Sequence, residues 1–107
     1  NKDAEQIQEN DELLIAKEEN RRHFRHSGYC VIEDKEWKRK IKASKKNSKV
    51  TLVWNPWIET ARKMADMPDD GYLSMVCIEA VNYYDDSVTL NPGEKYSLSA
   101  VIEINNY

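Results

Sequence analysis

The centre of the chain reads Val50-Thr51-Leu52-Val53-Trp54-Asn55-Pro56-Trp57. Its first five residues are mostly β-branched or aromatic, a composition that favours a β-strand. Asn55 can accept a backbone N–H as a helix N-cap, and Pro56 at the first helical position has no N–H to leave unpaired. The stretch therefore predicts a strand that leads directly into a short helix, running from Pro56 to about Met67.

Strand-like patterns continue on both sides of this centre, because the hydropathy changes with the short period of a β-strand. We expect strands over residues 29–33, 37–43, 72–81, 87–90 and 95–104. The polar residues 45–48 predict a turn that joins the strand at 37–43 to the central one as a hairpin. Residues 72–81 are the most apolar run, so we expect them to form a central strand covered on both sides.

The segment Asn91-Pro92-Gly93-Glu94 has the composition of a type II turn. Proline sets φ at the second position of such a turn, and glycine accepts the positive φ that the third position requires. The elements together predict an antiparallel β-sheet unit with one short helix.

The first 28 residues have a different character. From Asp3 to about Arg25 there is no Gly or Pro, and good helix formers dominate. The apolar stripe, centred on Ile7 and Leu14, is narrow for a helix that folds alone. We therefore expect a charged helical segment over residues 1–28, which could dock on a protein partner, and a β domain over residues 29–107.

Composition excludes several classes of protein. The 107 residues suit one small domain, and 16 basic against 19 acidic residues leave a formal net charge of −3. No apolar run approaches the roughly 20 residues that cross a bilayer, so we expect no membrane insertion. Cys30 and Cys77 lie in apolar runs, where cysteine usually serves as a small buried hydrophobe, and we expect no metal or cofactor. The chain starts at Asn1 rather than Met, which suggests that a leader or longer segment precedes it.

Two basic regions could in principle bind anions or metals. The run over residues 35–49 could hold a phosphate or a nucleic-acid backbone, but alternation places Lys38, Lys40 and Lys42 on one solvated face, and the acidic net charge argues against nucleic acid. His23 and His26, three residues apart, could share a metal, but two histidines alone are a weak signal for a metal site. We assign these histidines no role.

Glu79 is the residue that least fits a core strand. Its neighbours on the same strand face are Cys77 and Val81, so a carboxylate there would be partly desolvated, as the general acids and bases of enzymes often are. The alternative is that Glu79 lies at the sheet rim with its carboxylate in water.

Trp54 and Trp57 flank Asn55 at the predicted strand-to-helix turn. Aromatic rings at such a position could stack on the apolar face of a sugar, with the Asn55 amide as a polar contact. Both rings could equally be core, because large aromatic side chains supply much of the buried area of a small domain.

Four segments occur in an order and spacing that resemble the glucose-6-phosphate 1-epimerases, also called hexose-6-phosphate mutarotases, of the aldose 1-epimerase group. They are Val53-Trp54-Asn55-Pro56-Trp57, Met64-Ala65-Asp66, Met75-Val76-Cys77-Ile78-Glu79-Ala80 and Leu90-Asn91-Pro92-Gly93-Glu94. Upstream, the segments at 31–34 and 37–41 look similar as well. The resemblance covers residues 29–107 and corresponds to the C-terminal part of such an enzyme.

The resemblance implies part of a galactose-mutarotase-like β-supersandwich, an antiparallel β-sandwich. It also implies that the α and β anomers of a hexose 6-phosphate interconvert without cofactor or metal, in the cytoplasm. A glutamate at the position of Glu79 is the family's general base on the C1 hydroxyl. The family's proton-donating histidine and phosphate-binding arginines belong to an N-terminal half that has no counterpart in this resemblance.

Two hypotheses follow from these residues. The chain is either the C-terminal portion of a hexose-6-phosphate mutarotase, with Glu79 as its base, or a catalytically inactive, truncated epimerase-like domain that serves as a structural or interaction subunit of a larger assembly. Ring opening needs a paired acid and base. Under either hypothesis we expect the chain alone to be inactive.

Overall fold

The structure, a computed structural model, describes residues 12–106, which form two three-stranded antiparallel sheets and one α-helix. The elements are β1 (Glu19–His23), β2 (Cys30–Asp34), β3 (Arg39–Lys46), β4 (Val50–Asn55), α1 (Trp57–Lys63), β5 (Cys77–Val81) and β6 (Ser99–Asn106), with 3-10 turns at Gly71–Ser74 and Tyr84–Asp86. The first sheet has the order β1-β4-β5 and the second β2-β3-β6. The predicted mainly β, antiparallel fold with a short helix after Asn55 is confirmed.

Strand β4 is the centre of the first sheet. It pairs with β1 on one side and β5 on the other, and it contains most of the buried apolar side chains. Val50 is 0% exposed and Val53 is 7% exposed, while Ala61 from α1 is fully buried. The core of the described residues is therefore built on the β-branched run from which the strand was predicted.

The prediction that residues 72–81 form the central strand is wrong. Gly71–Ser74 form a 3-10 turn, and the strand begins only at Cys77 and pairs with β4 alone among the described strands. The reason is that the Asn55 side chain, rather than a neighbouring strand, donates to the carbonyls of Tyr72 (3.0 Å) and Met75 (2.9 Å). The chain is held in a turn there until it reaches the edge of β4.

The predicted hairpin between β3 and β4 is also wrong, since the two strands lie in different sheets. Asn47 turns the chain with a positive φ of 63°. The hydroxyl of Ser48, which is 3% exposed, then lies 2.9 Å from Val50 O and 2.6 Å from Val81 O, and accepts from the Val81 N–H at 3.1 Å. These contacts attach the segment between β3 and β4 to the first sheet, directly after the chain leaves the second sheet.

The predicted N-terminal helix is wrong for Glu19–His23, which form β1, and no helix occurs over residues 12–18 either. Residues 3–11 of that prediction lie outside the described residues. Helix propensity is worth only tenths of a kcal/mol per residue, whereas β4 offers a row of unpaired backbone groups that β1 satisfies along its whole length. Tertiary hydrogen bonding therefore overrides local preference.

The C-terminal region is less regular than predicted. No strand forms over residues 87–90, and β6 begins at Ser99 rather than near residue 95. The type II turn is confirmed, because Gly93 has a φ of 87° and the Glu94 N–H donates to Asn91 O at 3.0 Å.

Helix α1 is shorter than predicted and ends at Lys63, because Met64 is extended. At its start Trp57 has a φ of 60°, a left-handed conformation that costs an L-residue about 1–2 kcal/mol. The Trp57 N–H donates to Asn55 Oδ1 at 2.8 Å, which helps to hold that conformation.

Replacing Asn55 with alanine removes three hydrogen bonds at a side chain that is 2% exposed. We expect the free energy of unfolding to fall by about 2–4 kcal/mol, since buried backbone groups are left unpaired. Urea denaturation of Asn55→Ala measures this. Asn20→Ala, an exposed asparagine in the same sheet, is the matched control and should change stability by less than about 0.5 kcal/mol. Equal effects of the two substitutions would contradict the structural role of Asn55.

Candidate functional site on the first sheet

The strand register of the first sheet places several polar and aromatic side chains on one face. Arg22, Leu52 and Glu79 are directly opposite one another across β1, β4 and β5, and Asn20, Trp54 and Cys77 form the adjacent row. We call the face made by these six residues the open face, because its side chains are half-buried or exposed. The other face of the same strands is closed, with Glu19, Thr51, Val53 and Asn55 buried.

Glu79 lies on the open face at the edge strand β5. Its side chain is exposed, as the alternative interpretation of a carboxylate at the sheet rim predicted, and the desolvation that its apolar neighbours predict is not found in the described residues. Its carboxylate nevertheless affects the neighbouring Cys77 thiol. Burial, and then the nearby carboxylate of Glu79, raise the pKa of the Cys77 thiol. Glu79 is thus an exposed carboxylate whose neighbours on the open face include the apolar side chains of Leu52 and Cys77.

The three residues predicted to contact a sugar are placed differently. Trp54 is half-buried on the open face, diagonal to Glu79 in the register, a spacing of about 7–8 Å between Cα atoms. Asn55 points to the closed face, and both of its amide N–H groups are used by the Tyr72 and Met75 carbonyls. Trp57 packs edge-on against Tyr72, with ring centroids 5.0 Å apart. The register brings only Trp54 together with Glu79.

A residue that the sequence did not single out, Arg22, shares the row of Glu79. Its guanidinium carbon lies 5.2 Å from the centroid of the Tyr83 ring, and that ring stacks on Phe24. Residues 19–23 are a short polar stretch, and their composition predicted a helix. Only a strand prediction would have placed Arg22 on one sheet face with Asn20. Its position follows from the pairing of β1 with β4.

A second polar cluster lies between the two sheets. Lys45 Nζ donates to the hydroxyls of Thr51 and Ser48, and His26 Nδ1 lies 2.8 Å from Thr51 Oγ1. Burial lowers the pKa of Lys45 and, with the Lys45 charge, that of His26, while it raises the pKa of the Cys30 thiol. The cleft here, which Glu79 of β5 also lines, has a volume of about 20 Å³, roughly enough for a water molecule, so it does not hold a sugar.

The basic run lies away from the open face. Lys38 and Lys40 are exposed as predicted, whereas Lys42 lies over the Tyr29 ring and Lys45, predicted in a turn, belongs to β3 and points between the sheets. The wide surface concavity at the β2–β3 turn is lined by Lys35 and Lys38 of the turn and by Glu33 and Lys40 of the two strands. It contains no aromatic or nucleophilic side chain.

Within residues 12–106, no group of three His, Cys, Asp or Glu residues is arranged to hold a metal ion. In the same range no helix has the length and apolar character needed to span a membrane.

Comparison with known proteins agrees with the pattern of the segments around β4 and β5. The family model described as "Aldose 1-epimerase" matches residues 2–103. The chain belongs to the aldose 1-epimerase family. The predicted family is confirmed, and the match extends into the first 28 residues, which the sequence pattern had set apart.

A curated relative supports the same family. The chain is 30% identical over 98 residues, 88% of its length, to a protein of Cenchrus ciliaris described as "Putative glucose-6-phosphate 1-epimerase". These residues cover 30% of that relative, so the chain spans about a third of its length. No solved structure matches the chain.

The inter-sheet histidines make stability depend on pH. Burial lowers the pKa of both His23 and His26 below 6.5, so the folded state favours their neutral forms. Their contribution is fully present above the unfolded value of 6.5 and is lost as the pH falls through the folded value. The free energy of unfolding should therefore decrease from pH 7.5 to pH 5, and His26→Gln should flatten part of that decrease.

His23→Gln is the matched variant and should flatten the remaining part, because His23 lies on the closed face beside the same cluster. An NMR titration gives the pKa of each ring directly. A folded-state pKa of His26 above 6.5 would contradict the assignment.

Proposed function

We propose that the chain supplies the general base of a hexose-6-phosphate mutarotase, and that Glu79 is that base. One observation carries the proposal: the strand register puts the Glu79 carboxylate beside Trp54 and Leu52 on a solvent-accessible sheet face. Family membership supports it, and the relative of Cenchrus ciliaris is described as an epimerase acting on glucose 6-phosphate.

Trp54 and Leu52 give the open face an apolar floor beside the carboxylate. Aromatic and aliphatic side chains pack against the C–H faces of sugar rings, which leaves the ring hydroxyls to polar groups at the margin. A pyranose ring lying over these two residues would place its anomeric hydroxyl within reach of Glu79. The carboxylate is exposed, so it is accessible to a substrate that arrives from solvent.

In the proposed reaction, Glu79 removes the proton of the C1 hydroxyl while an acid protonates the ring oxygen. The C1–O5 bond breaks, and the open-chain aldehyde forms. Rotation about the C1–C2 bond presents the other face of the carbonyl, and the ring closes as both proton transfers reverse. Atoms and charge balance, because the base and the acid recover their original protonation states when the ring closes.

The acid is not supplied by either described histidine. His23 is opposite Thr51 on the closed face, and His26 is hydrogen-bonded to Thr51. The open face thus carries a candidate base and a binding surface, and neither described histidine lies on that face to act as the proton donor. General acid and base groups each contribute typically 10²–10⁴-fold, so the chain by itself should be a very weak catalyst.

Glu79→Gln tests the proposal in the native protein. The amide keeps the shape of the side chain but cannot accept the proton, so anomer interconversion should fall by about 10²–10⁴-fold. Proton NMR exchange between the α and β anomers of glucose 6-phosphate measures the rate. Glu103→Gln, an exposed glutamate of β6 in the other sheet, is the control and should keep the original rate. Near-normal exchange by Glu79→Gln would remove Glu79 from the mechanism.

One feature favours the second hypothesis, an inactive epimerase-like interaction subunit. Ile102 and Ile104 of β6 are 69% and 60% exposed on the same face of the second sheet as Ile41. Exposed apolar side chains grouped in this way are typical of an interface. A native protein that shows no anomer exchange and that elutes as a complex larger than one chain would favour this function over the mutarotase.

A further inference from the structure

The position of the proposed base depends on the backbone of a short strand. Strand β5 has five residues, and Glu79 is the middle one. Within residues 12–106 no hydrogen bond or ion pair holds the Glu79 carboxylate, so its place on the open face is set by the pairing of β5 with β4. A shift of that pairing by one residue would turn Glu79 to the closed face.

The apolar pattern of β5 does not by itself specify this pairing. Cys77 and Val81 lie beside Glu79 on one face of the strand, and Ile78 and Ala80 lie on the other. Because both faces are largely apolar, a shift by one residue would exchange one set of apolar side chains for another. Contacts outside the strand ladder therefore have to select the register.

Buried polar side chains hold both ends of β5. Before the strand, the Asn55 amide donates to Met75 O at 2.9 Å. At its end, the Ser48 hydroxyl lies 2.6 Å from Val81 O and accepts from the Val81 N–H at 3.1 Å. Asn55 and Ser48 are 2% and 3% exposed, and they lie at the two ends of β4. The segment around β4 thus carries the contacts that fix the strand beside it.

Ser48 contacts the strand itself. Its hydroxyl meets both backbone polar groups of Val81, two residues after Glu79. The next residue, Asn82, donates to Asn47 O at 2.8 Å, so the segment between β3 and β4 holds two consecutive residues at this end of β5. A shifted strand would leave the buried Ser48 hydroxyl without these partners, which is unfavourable for a polar group away from water.

We propose that Ser48 is a positioning residue for the mutarotase reaction: by binding the backbone of Val81, it fixes the register of β5 and places Glu79 on the open face. This inference rests on the proposed function. Trp54 and Leu52, over which the sugar would lie, belong to β4 rather than β5. Loss of the Ser48 hydroxyl should therefore affect the chemical step more than sugar binding, since a misplacement of about 1 Å can cost about 10²-fold in rate.

Ser48→Ala tests the inference in the native protein, by NMR exchange between the anomers of glucose 6-phosphate over a range of substrate concentrations. We expect kcat per folded molecule to fall by about 10–100-fold and KM to change by less than about twofold. Ser48→Thr keeps the hydroxyl and should retain kcat within about threefold. A purely structural role would lower the folded fraction, which circular dichroism measures, and leave kcat per folded molecule unchanged.

Ser74→Ala is the matched control. Ser74 is exposed in the 3-10 turn before β5, and its hydroxyl donates to Gly71 O at 3.4 Å. The substitution removes the same group close to the same strand, but it touches no residue of β5. It should keep the original kcat and KM.

Amide hydrogen exchange tests the contact without any substitution. The Val81 N–H donates to a buried hydroxyl, so it should exchange at least about tenfold more slowly than the N–H of the exposed Leu90. In Ser48→Ala this protection should be lost, and cross-strand NOEs should show an altered pairing of β5 with β4. The measurement on the unaltered protein keeps the inference testable if the alanine variant does not fold.

Three results would overturn the inference: an unprotected Val81 N–H in the unaltered protein, an unchanged kcat in Ser48→Ala, or an equal loss in Ser74→Ala. The outcome is separable from that of the base assignment. If Glu79→Gln keeps its exchange rate while Ser48→Ala alters the pairing of β5, the base is misassigned and Ser48 still sets the register. If Glu79→Gln loses exchange while Ser48→Ala keeps both kcat and the pairing, Glu79 stands as the base and Ser48 does not position it.

Discussion

The structure depends on the backbone hydrogen bonds that β4 makes on both of its sides. This strand connects β1, which precedes it by about 30 residues, to β5, which follows it by about 25, so it joins distant parts of the chain into one sheet. Its β-branched side chains fill the core. At its end the Asn55 amide ties together the start of α1 and the loop before β5. The two strand pairings and the Asn55 hydrogen bonds all involve β4, so the loss of any one of them would destabilise the rest of the first sheet.

The link between β3 and β4 sets the relation of the two sheets. A hairpin would have placed both strands in one sheet, but the bonds of Ser48 to Val50 and Val81 bind the link to the first sheet immediately after Asn47 turns it. Lys45 and His26 then meet at Thr51 between the sheets. The half-buried Lys45 and His26 are stable there because they hydrogen-bond to hydroxyl groups. Burial nevertheless lowers the pKa of both side chains.

The two faces of the first sheet differ in the exposure of their polar and aromatic side chains. The closed face holds Val53 and the buried polar contacts of Thr51 and Asn55 that keep β4 in place, while the open face carries the exposed or half-buried side chains of Glu79, Trp54 and Arg22. This separation follows from the period of two along a strand, since neighbouring residues point to opposite sides. Asn55 and Trp54, adjacent in sequence, are for this reason a structural residue and a candidate binding residue.

The sequence by itself determined the family, the antiparallel β class, the strand β4, the helix after Asn55 and the type II turn at Pro92-Gly93, because each depends on residues within a few positions of one another. Glu79 and Trp54 were also identifiable, as unusual residues in strand-like runs. Only the tertiary structure decided that Glu19–His23 is a strand, that β3 and β4 separate into two sheets, and that Arg22 and Glu79 lie in one row on either side of Leu52. Those outcomes depend on pairing between segments some 30 to 60 residues apart, where backbone hydrogen bonds outweigh local propensity and no local pattern reports the register.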